Sequence, residues 1–401
     1  MPQSITYDAI VLGAGAAGLF AAATAAQRGR RVLIIDHNNE PGRKILISGG
    51  GRCNFTNVNA GPRSQPPRYI SANPHFARSA LGRFSPQDFI AMVEAAGIAF
   101  HEKTLGQLFC DGSARQIVAM LMDMCASCDF RFGFETGTVR HDGSHFIVES
   151  GDESYAAPKL VIATGGPSIP KLGASDFAYR TARQFGLKVV EPRPALVPLT
   201  LGGDDLLFRE LSGVSTEVVA TAGEGKGKGS FREAALLTHR GLSGPAILQI
   251  SSYWKKGEAI TLDFLPDDKA AAWLLTAKKD QPNGALAKLL AEKLPQRLAA
   301  ALIDKAELDD VPLNALTDKA LDMFGQRLNR WAFVPNGSEG FAKAEVTIGG
   351  ISTDGLDQKT MEAKAVPGLH FIGEAVDVTG WLGGYNFQWA WASAFVCAEN
   401  L

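Results

Sequence analysis

Three glycines near the start of the chain are spaced for a tight turn that opens a helix. Gly13, Gly15 and Gly18 follow a short apolar run and begin an alanine-rich stretch of high helix propensity. In such a turn the first glycine permits the tight bend, the second lets the backbone approach a pyrophosphate, and the third lets the helix pack on the strand. The helix N-terminus also offers free N–H groups and a positive dipole end to an anion. These residues predict a Rossmann-type nucleotide site.

An acidic residue at the end of the next apolar run supports this prediction. Asp36 lies 18 residues beyond Gly18, close to the distance of roughly 20 at which a ribose-binding carboxylate is expected. Its carboxylate can accept hydrogen bonds from the adenosine ribose and disfavours a 2′-phosphate there. The other residues of this region predicted to contact the cofactor are Ala16, Ala17 and His37.

Two later segments indicate that the dinucleotide is FAD rather than NAD. One apolar strand ends in Thr164 and Gly165, part of an Ala-Thr-Gly sequence that in flavoproteins returns the chain beneath the FAD. Another strand ends in Gly373 and Glu374, where the acid is placed to bind ribityl hydroxyls. A dehydrogenase that uses only NAD has no need of this last segment. We therefore predict non-covalent FAD binding, with Val139 as a further contact.

Three longer motifs extend over the chain: PGRKILISGGGRCNFTN at 41–57, THRGLSGP at 238–245 and GGYNFQWA at 383–390. Together they resemble the BaiN/YhiN-type bacterial flavoproteins, commonly called NAD(P)/FAD-dependent oxidoreductases. The resemblance covers nearly the whole sequence. It implies a glutathione-reductase-like FAD domain that carries a β-barrel-like insert and a small helical subdomain.

The residue types in the first and last of these motifs suit a flavin ring and its phosphates. Gly50 and Gly51 remove side chains where backbone can lie against the ring, and Asn54 can hydrogen-bond a ring edge. Arg43 and Lys44 either neutralise the pyrophosphate or form a solvated pair. The last helix is expected to direct its N-terminal N–H groups at the pyrimidine side of the flavin and to stabilise charge on the reduced ring. Its predicted cofactor contacts are Gly384, Asn386 and Phe387.

Two residues are candidates for catalytic chemistry beyond the flavin. Cys53 lies in the loop predicted to approach the flavin, where a thiol can exchange electrons, although the loop holds no second cysteine. Packing in the core is its alternative role. His239 lies in a glycine-rich loop of the insertion, where it either transfers protons or stabilises the loop. Cys125 and Cys128 form a CxxC without the second ligand pair that zinc needs, so we predict a structural pair and no metal site.

The composition is that of a globular protein, with 46% hydrophobic and 20% charged residues. The net charge is −2, so the chain lacks the excess of positive charge that is typical of nucleic-acid-binding proteins. Apolar stretches are far shorter than the roughly 20 residues of a spanning helix, and the start has no basic signal sequence. Five scattered cysteines make no disulfide framework. We expect a cytoplasmic protein with a small-molecule substrate and neither a nucleic-acid nor a membrane partner; its oligomeric state is left open.

The elements that position these residues predict an α/β fold with an interruption. Near residue 190 prolines mark a change from alternating strands and helices to short strands joined by glycine-rich turns, and a helical pattern follows. We predict a discontinuous FAD-binding domain of Rossmann type, 1–190 and 345–401. It is interrupted by an inserted β-barrel-like module, 191–265, and an inserted helical module, 266–344.

The leading functional hypothesis is an FAD-dependent oxidoreductase, in which flavin N5 exchanges hydride with a small organic substrate or NAD(P)H. The chain has no second glycine fingerprint, so NAD(P)H would dock transiently at the insertion cleft. The second hypothesis is a flavin-dependent RNA-modifying enzyme. Against it, residues 267–330 contain ten Lys and Arg and ten Asp and Glu, with no net positive charge. The third is a non-catalytic flavin redox sensor.

Overall fold

The computed structural model describes residues 7–64 and 67–401. They form two compact units, which are described separately below. The first comprises the chain up to Arg193 together with Val346–Leu401, and the second comprises Pro194–Glu345. The finer division of the insertion into a β module and a helical module stays a prediction. No helix in the described ranges is long and apolar enough to cross a membrane.

The strands are short, and most are joined by turns that contain glycine. In chain order they are β1 (Ala9–Leu12), β2 (Val32–Asp36), β3 (Asn54–Asn57), β4 (Tyr69–Ile70), β5 (Phe100–Glu102), β6 (Gln107–Cys110), β7 (Asp129–Phe132), β8 (Thr138–His141), β9 (Phe146–Ser150), β10 (Glu153–Ala157), β11 (Lys159–Ile162), β12 (Val189–Ala195), β13 (Leu199–Thr200), β14 (Ser215–Ala222), β15 (Gly229–Thr238), β16 (Gly241–Ser243), β17 (Ile260–Asp263), β18 (Trp331–Phe333), β19 (Gly337–Ser338), β20 (Val346–Ile351), β21 (Leu369–Phe371) and β22 (Thr379–Gly380).

The helices fall into two groups, one in each unit. In chain order they are α1 (Ala16–Gln27), α2 (Arg43–Ile47), α3 (Ala77–Arg83), α4 (Pro86–Ala95), α5 (Ala114–Met124), α6 (Phe177–Gln184), α7 (Pro245–Ser251), α8 (Ala270–Asp280), α9 (Leu286–Leu290), α10 (Gln296–Lys305), α11 (Asp318–Leu328) and α12 (Tyr385–Ala398). Short 3-10 segments are Ser48–Gly51, Thr104–Gly106, Pro170–Leu172, Gly203–Leu211, Gly225–Gly227, Leu313–Ala315, Thr353–Gly355 and Gly373–Ala375.

A five-stranded parallel sheet forms the centre of the first unit, in the order β21-β11-β1-β2-β7. Every residue of β1 is buried, which explains why its sequence is a continuous apolar run rather than an alternating one. In the register, Leu12 lies opposite Ile35 on one side and Ile162 on the other. The carboxyl ends of these strands therefore meet along one edge of the sheet.

Helices α1 and α12 pack against each other. Both are apolar on nearly all sides, as expected of buried helices. The small side chains of α1 leave room for large rings: Phe20 packs against Trp391 of α12 with ring centroids 5.8 Å apart. Phe89 of α4 stacks on Trp391 at 4.3 Å. This aromatic cluster fixes α12 relative to α1, and with it the start of α12.

Smaller sheets complete the first unit. They are the antiparallel β10-β9-β8 and β3-β6-β5 sheets and the two-stranded pairs β12-β20 and β22-β4. In the β3-β6 pair, Asn54 lies opposite Phe109. The β22-β4 pair places Gly380 opposite Tyr69. Strand β22 directly precedes α12 in the chain, and Asn54 of β3 contacts Gly384 at the N-terminus of α12.

The second unit contains a seven-stranded sheet in the order β18-β17-β14-β15-β16-β13-β19. Helices α8 to α11 lie between β17 and β18 in the chain. Strands β18 and β19 fall within the range predicted to be helical, so the sheet extends past residue 265. The reason is that β18 pairs with β17 after the helices return the chain, with Ile260 opposite Phe333, a long-range pairing that local periodicity does not reveal.

A buried histidine in β21 makes the stability of the first unit depend on pH. His370 is fully buried, and its Nδ1 donates to the Thr360 carbonyl at 3.0 Å. Desolvation lowers the pKa of His370 to about 4. The folded state therefore favours neutral imidazole, and its stabilisation, complete above about pH 6.5, is lost as the pH falls towards 4.

We predict that the free energy of unfolding falls by about 2 kcal/mol between pH 7 and pH 5 because of His370 alone. Denaturant titrations of the protein and of His370→Gln at both pH values isolate this contribution, since the variant cannot titrate there. The exposed His75→Gln serves as the control and should retain the loss. Equal pH dependence in the protein and in His370→Gln would refute the assignment.

Candidate functional site

Four of the predicted cofactor segments meet at the carboxyl edge of the parallel sheet. The turn after β1 holds the three glycines, β2 ends in Asp36, β11 leads into Thr164, and β21 leads into Glu374. Because neighbouring parallel strands end on the same side, segments up to 361 residues apart in the sequence lie side by side. This edge is where ligands bind in open α/β sheets.

In the glycine turn, two of the three glycines have no room for a Cβ atom, and the third faces open space. A Cβ on Gly13, whose φ is 108°, would lie 2.6 Å from the Ala163 carbonyl oxygen, and a Cβ on Gly18 would lie 1.8 Å from the Gly13 carbonyl oxygen. A Cβ on Gly15 would have no atom within 4 Å. Gly15 is the residue that precedes α1, and no side chain caps the helix. The turn thus presents uncapped N–H groups beside open space, as an anion site requires.

Asp36 is held rigidly at the end of β2. Its Oδ2 accepts from the Ala14 backbone N–H at 2.7 Å, and its Oδ1 accepts from the Asn38 backbone N–H at 2.7 Å. The side chain is 10% exposed, so the carboxylate lies at the rim with lone pairs left for a ligand. The ring of His37 lies beside it, with Nδ1 3.6 Å from Asp36 Oδ1.

Glu374 lies in a network that the sequence did not reveal. Its Oε2 accepts from Lys44 Nζ at 2.7 Å, and its Oε1 accepts from Ser168 Oγ at 2.7 Å and from the Thr347 backbone N–H at 2.9 Å. Lys44 Nζ also donates to Ser168 Oγ at 2.6 Å. The charge of Lys44 is therefore balanced by Glu374.

Arg43 and Thr164 flank this network. Arg43 donates to the Asn38 side-chain oxygen at 2.5 Å and to the Leu172 carbonyl at 3.3 Å. Thr164 Oγ1 is buried and has no hydrogen-bond partner among the described residues. A Cβ on the adjoining Gly165 would lie 3.8 Å from Glu374 Oε2. A buried hydroxyl without a partner, next in the chain to a glycine that faces an acid, suits the hydroxyls of a ribityl chain.

A second group of predicted residues meets at the start of α12. Asn54 Nδ2 donates to the Leu108 and Thr56 carbonyls at 3.2 and 3.1 Å, and its Oδ1 accepts from the Gly384 N–H at 3.3 Å, in the amide orientation that satisfies both atoms. The Cβ positions of Gly50 and Gly51 are open, with no atom within 4 Å at the first and one at 3.9 Å at the second. A bare backbone surface of this kind suits a flat ring.

Other predicted contacts in this region serve the protein itself. The Asn386 side chain accepts from the Gly380 N–H at 2.8 Å and donates to the Gly380 carbonyl at 2.9 Å. Phe387 stacks on Trp391 with a ring separation of 5.7 Å. Gly373 meets α1, since a Cβ there would lie 2.9 Å from the Ala17 Cβ. Together these contacts set the position of the α12 N-terminus.

Three predicted residues lie apart from these two groups. Val139 is in the separate β10-β9-β8 sheet, and its carbonyl accepts from Gln184 Nε2. His239 is exposed in the second unit, in the turn between β15 and β16, and its carbonyl accepts from Arg209 Nε at 2.7 Å. Cys53 is fully buried. The proposed catalytic roles of His239 and Cys53 stay predictions.

Comparison with known proteins identifies the family. Residues 7–400 match the family model described as HI0933-like protein Rossmann domain, so the chain belongs to this family. It is 51% identical over 398 residues to the ribosomal RNA dihydrouridine synthase of Escherichia coli, and 44% identical over 398 residues to that of Haemophilus influenzae, with 98% of each chain covered. It is 26% identical over 405 residues to the 3-dehydro-bile acid delta(4,6)-reductase of Clostridium scindens, with 97% of each chain covered.

The family match confirms the predicted resemblance to BaiN/YhiN-type flavoproteins. With it, the predicted class is confirmed: an oxidoreductase on a Rossmann-type FAD-binding fold. The cofactor contacts of individual residues and the use of NAD(P)H stay predictions.

The prediction that nucleic acid is not a partner is wrong. Two relatives that match almost the entire chain are named for ribosomal RNA, at 51% and 44% identity. The error lies in reading the net charge of −2 as an exclusion. Net charge sums the whole surface, whereas RNA contacts require only a local concentration of positive charge.

The environment of Cys53 disfavours a thiolate. Burial raises the pKa of Cys53 to about 12. Its backbone N–H donates to the Ser48 carbonyl at 3.1 Å. Strand β3 pairs with β6, with Asn54 opposite Phe109. Cys110, the next residue of β6, therefore lies close to Cys53 and raises the pKa of its thiol further. This partner is 57 residues away in the sequence, so the local sequence of the loop does not reveal it.

We predict that Cys53 resists alkylation in the folded protein. Iodoacetamide at pH 8 should leave it unmodified, because the thiol stays protonated below about pH 12 and is shielded from solvent. Peptide mass spectrometry before and after unfolding measures this, and all five cysteines should react once unfolded. Rapid labelling of Cys53 in the native protein would instead support the redox role.

Proposed function

We propose that this protein reduces uridine in ribosomal RNA to dihydrouridine, using FAD. The observation that carries the proposal is its identity of 51% over nearly its full length with a protein named ribosomal RNA dihydrouridine synthase. The name of the third relative also describes a reduction. A reaction of this kind falls within the chemistry of a flavin-dependent oxidoreductase.

The residues at the sheet edge suit FAD as the cofactor. The uncapped start of α1 beside Gly15 fits the pyrophosphate, and the fixed carboxylate of Asp36 fits the adenosine ribose. The Thr164 hydroxyl, which has no hydrogen-bond partner among the described residues, fits the ribityl chain. The open backbone at Gly50 and Gly51 fits the ring. These features support the proposed site without any covalent link to the cofactor.

The proposed reaction saturates the C5=C6 bond of uracil. FAD held by the glycine turn, Asp36 and the start of α12 would supply the hydride chemistry; C6 of the uracil would gain a hydride and C5 a proton. NAD(P)H is the proposed reductant that restores the two electrons. The reaction then consumes one NAD(P)H and one proton for each dihydrouridine formed, and it releases one NAD(P)⁺.

The protein's own groups position the ring and stabilise its charge. Asn54 accepts from the Gly384 N–H and so ties β3 to the start of α12. Gly384 caps α12 without a side-chain hydrogen bond, which leaves the first N–H groups of this 14-residue helix for a ligand. The positive end of the helix dipole favours negative charge on the pyrimidine side of a reduced flavin.

The proposal predicts that Asp36→Asn impairs both FAD binding and the reaction. Loss of a charged acceptor for ribose hydroxyls should weaken FAD binding at least about tenfold. Asp129→Asn is the matched control, because Asp129 begins β7 at the amino edge of the same sheet, where its half-exposed carboxylate lies beside Arg31 and Tyr7. Fluorescence titration of apoprotein with FAD gives the affinity, and thermal unfolding shows whether each variant is folded.

The activity itself is measured on ribosomal RNA purified from cells that lack this protein. The RNA is incubated with the FAD-loaded protein and NADH or NADPH, digested to nucleosides and analysed by mass spectrometry. We expect a nucleoside heavier than uridine by two hydrogens, formed by the protein and by Asp129→Asn but much more slowly by Asp36→Asn. Rapid flavin reduction by NAD(P)H with no such nucleoside would overturn the RNA substrate and favour a small organic one.

A further inference from the structure

Positive charge is concentrated in one stretch of the first unit. Residues 41–87 contain seven of the 40 Lys and Arg residues and none of the 42 Asp and Glu residues. The stretch is therefore strongly positive in a chain whose net charge is −2. It runs from α2 through β3 and β4 to the start of α4.

Some of these cations already have partners in the protein. Lys44 pairs with Glu374 and Arg83 pairs with Glu399. Arg63 and Arg78 are exposed, and neither forms an ion pair with any described residue. Two weakly hydrated guanidinium groups without a counter-charge among the described residues are available to an external anion.

Arg63 and Arg78 lie on the same side of this region although they are 15 residues apart. Gly82 is four residues beyond Arg78 in α3 and therefore shares its helix face. The Cβ position of Gly82 lies 3.8 Å from Pro62 Cγ, so the loop that carries Arg63 packs next to that face. We call the surface formed by Arg63, Arg68 and Arg78 the basic surface.

A surface pocket of about 330 Å³ opens on the basic surface. Asn59, Arg63, Ser64 and Arg68 supply its polar lining. The Arg68 guanidinium lies 4.6 Å from the centre of the Trp381 ring, and its Nε is buried without a hydrogen-bond partner among the described residues. Guanidinium groups with amide and hydroxyl neighbours are typical phosphate-binding groups.

The basic surface continues into the proposed flavin site. The Arg68 carbonyl accepts from the Trp381 N–H at 3.0 Å, and Tyr69 Oη donates to the Tyr385 carbonyl at 3.1 Å. Trp381 and Tyr385 flank Gly384, which directly precedes α12 and contacts Asn54. A polymer held on the basic surface therefore passes beside the place where the flavin ring is proposed to lie.

We propose that the basic surface binds the phosphate backbone of the RNA substrate and positions the target uridine at the flavin. This inference rests on the proposed function. Phosphate contacts set the register of a nucleic acid on a protein without reading its sequence. Contacts through arginine release counterions, so binding weakens as salt is raised.

The test compares two double variants that remove the same charge from the same unit. Arg63→Gln/Arg78→Gln removes the two exposed cations of the basic surface. Arg28→Gln/Arg30→Gln removes two exposed arginines after the end of α1, on the amino side of the sheet. Filter binding of labelled ribosomal RNA fragments to each FAD-loaded protein is measured from 50 to 300 mM salt. Thermal unfolding shows that both variants are folded.

We expect Arg63→Gln/Arg78→Gln to bind RNA about tenfold more weakly at 150 mM salt. The slope of log affinity against log salt should become shallower by about 1.4, the value for loss of two phosphate contacts to single-stranded RNA. Arg28→Gln/Arg30→Gln should bind as the unaltered protein does. Equal binding by both double variants would overturn the proposal.

Two further outcomes separate this inference from its alternatives. If Arg63→Gln/Arg78→Gln slows flavin reduction by NADPH while RNA binding is intact, the surface serves the nucleotide phosphate and the proposal fails. If the unaltered protein and Arg63→Gln/Arg78→Gln form dihydrouridine equally fast at limiting RNA, the proposed role of the basic surface in RNA binding is refuted. The proposed function then still stands. If the unaltered protein forms none, the proposed function itself fails.

Discussion

The site depends on the absence of any side chain between helix α1 and the strand before it. A Cβ on Gly18 would lie 1.8 Å from the Gly13 carbonyl oxygen, so only glycine allows this approach. The helix therefore begins directly at the carboxyl edge of β1, with Gly15 facing open space. The same geometry lets Asp36 accept from the Ala14 N–H. Any larger residue at Gly18 would move α1 away and open the edge at which the other three strands end.

Local features of the sequence predict this half of the site well. The glycine spacing predicts the turn and helix α1, and the rule for parallel strands places Thr164 and Glu374 at the same edge as Asp36. The other contacts arise from tertiary packing. Lys44 meets Glu374 across 330 residues, and Asn54 meets Gly384 across a similar distance. No local pattern encodes such pairs, because they follow from the way in which α12 packs on α1.

The contrast between local pattern and tertiary structure also explains why the absence of a nucleic-acid partner was wrongly predicted. Net charge and the neutral helical segment at 267–330 argued against an RNA substrate, but both are averages over surface that need not touch it. The acid-free stretch at 41–87 is visible in the sequence, and it begins with the motif at 41–57 that carries the family resemblance. Its meaning depends on the fold, which leaves Arg63 and Arg78 exposed while Lys44 and Arg83 form ion pairs within the protein.

The most direct test of this account is a single turnover without oxygen. The flavin of the purified protein is reduced with one equivalent of NADPH or dithionite, and ribosomal RNA from cells that lack the protein is added. The visible flavin absorption is followed while the RNA is sampled for dihydrouridine. We predict that oxidised flavin reappears in step with an equal amount of dihydrouridine. Reduced flavin that persists in the presence of the RNA, and returns to the oxidised form only when oxygen is admitted, would contradict it.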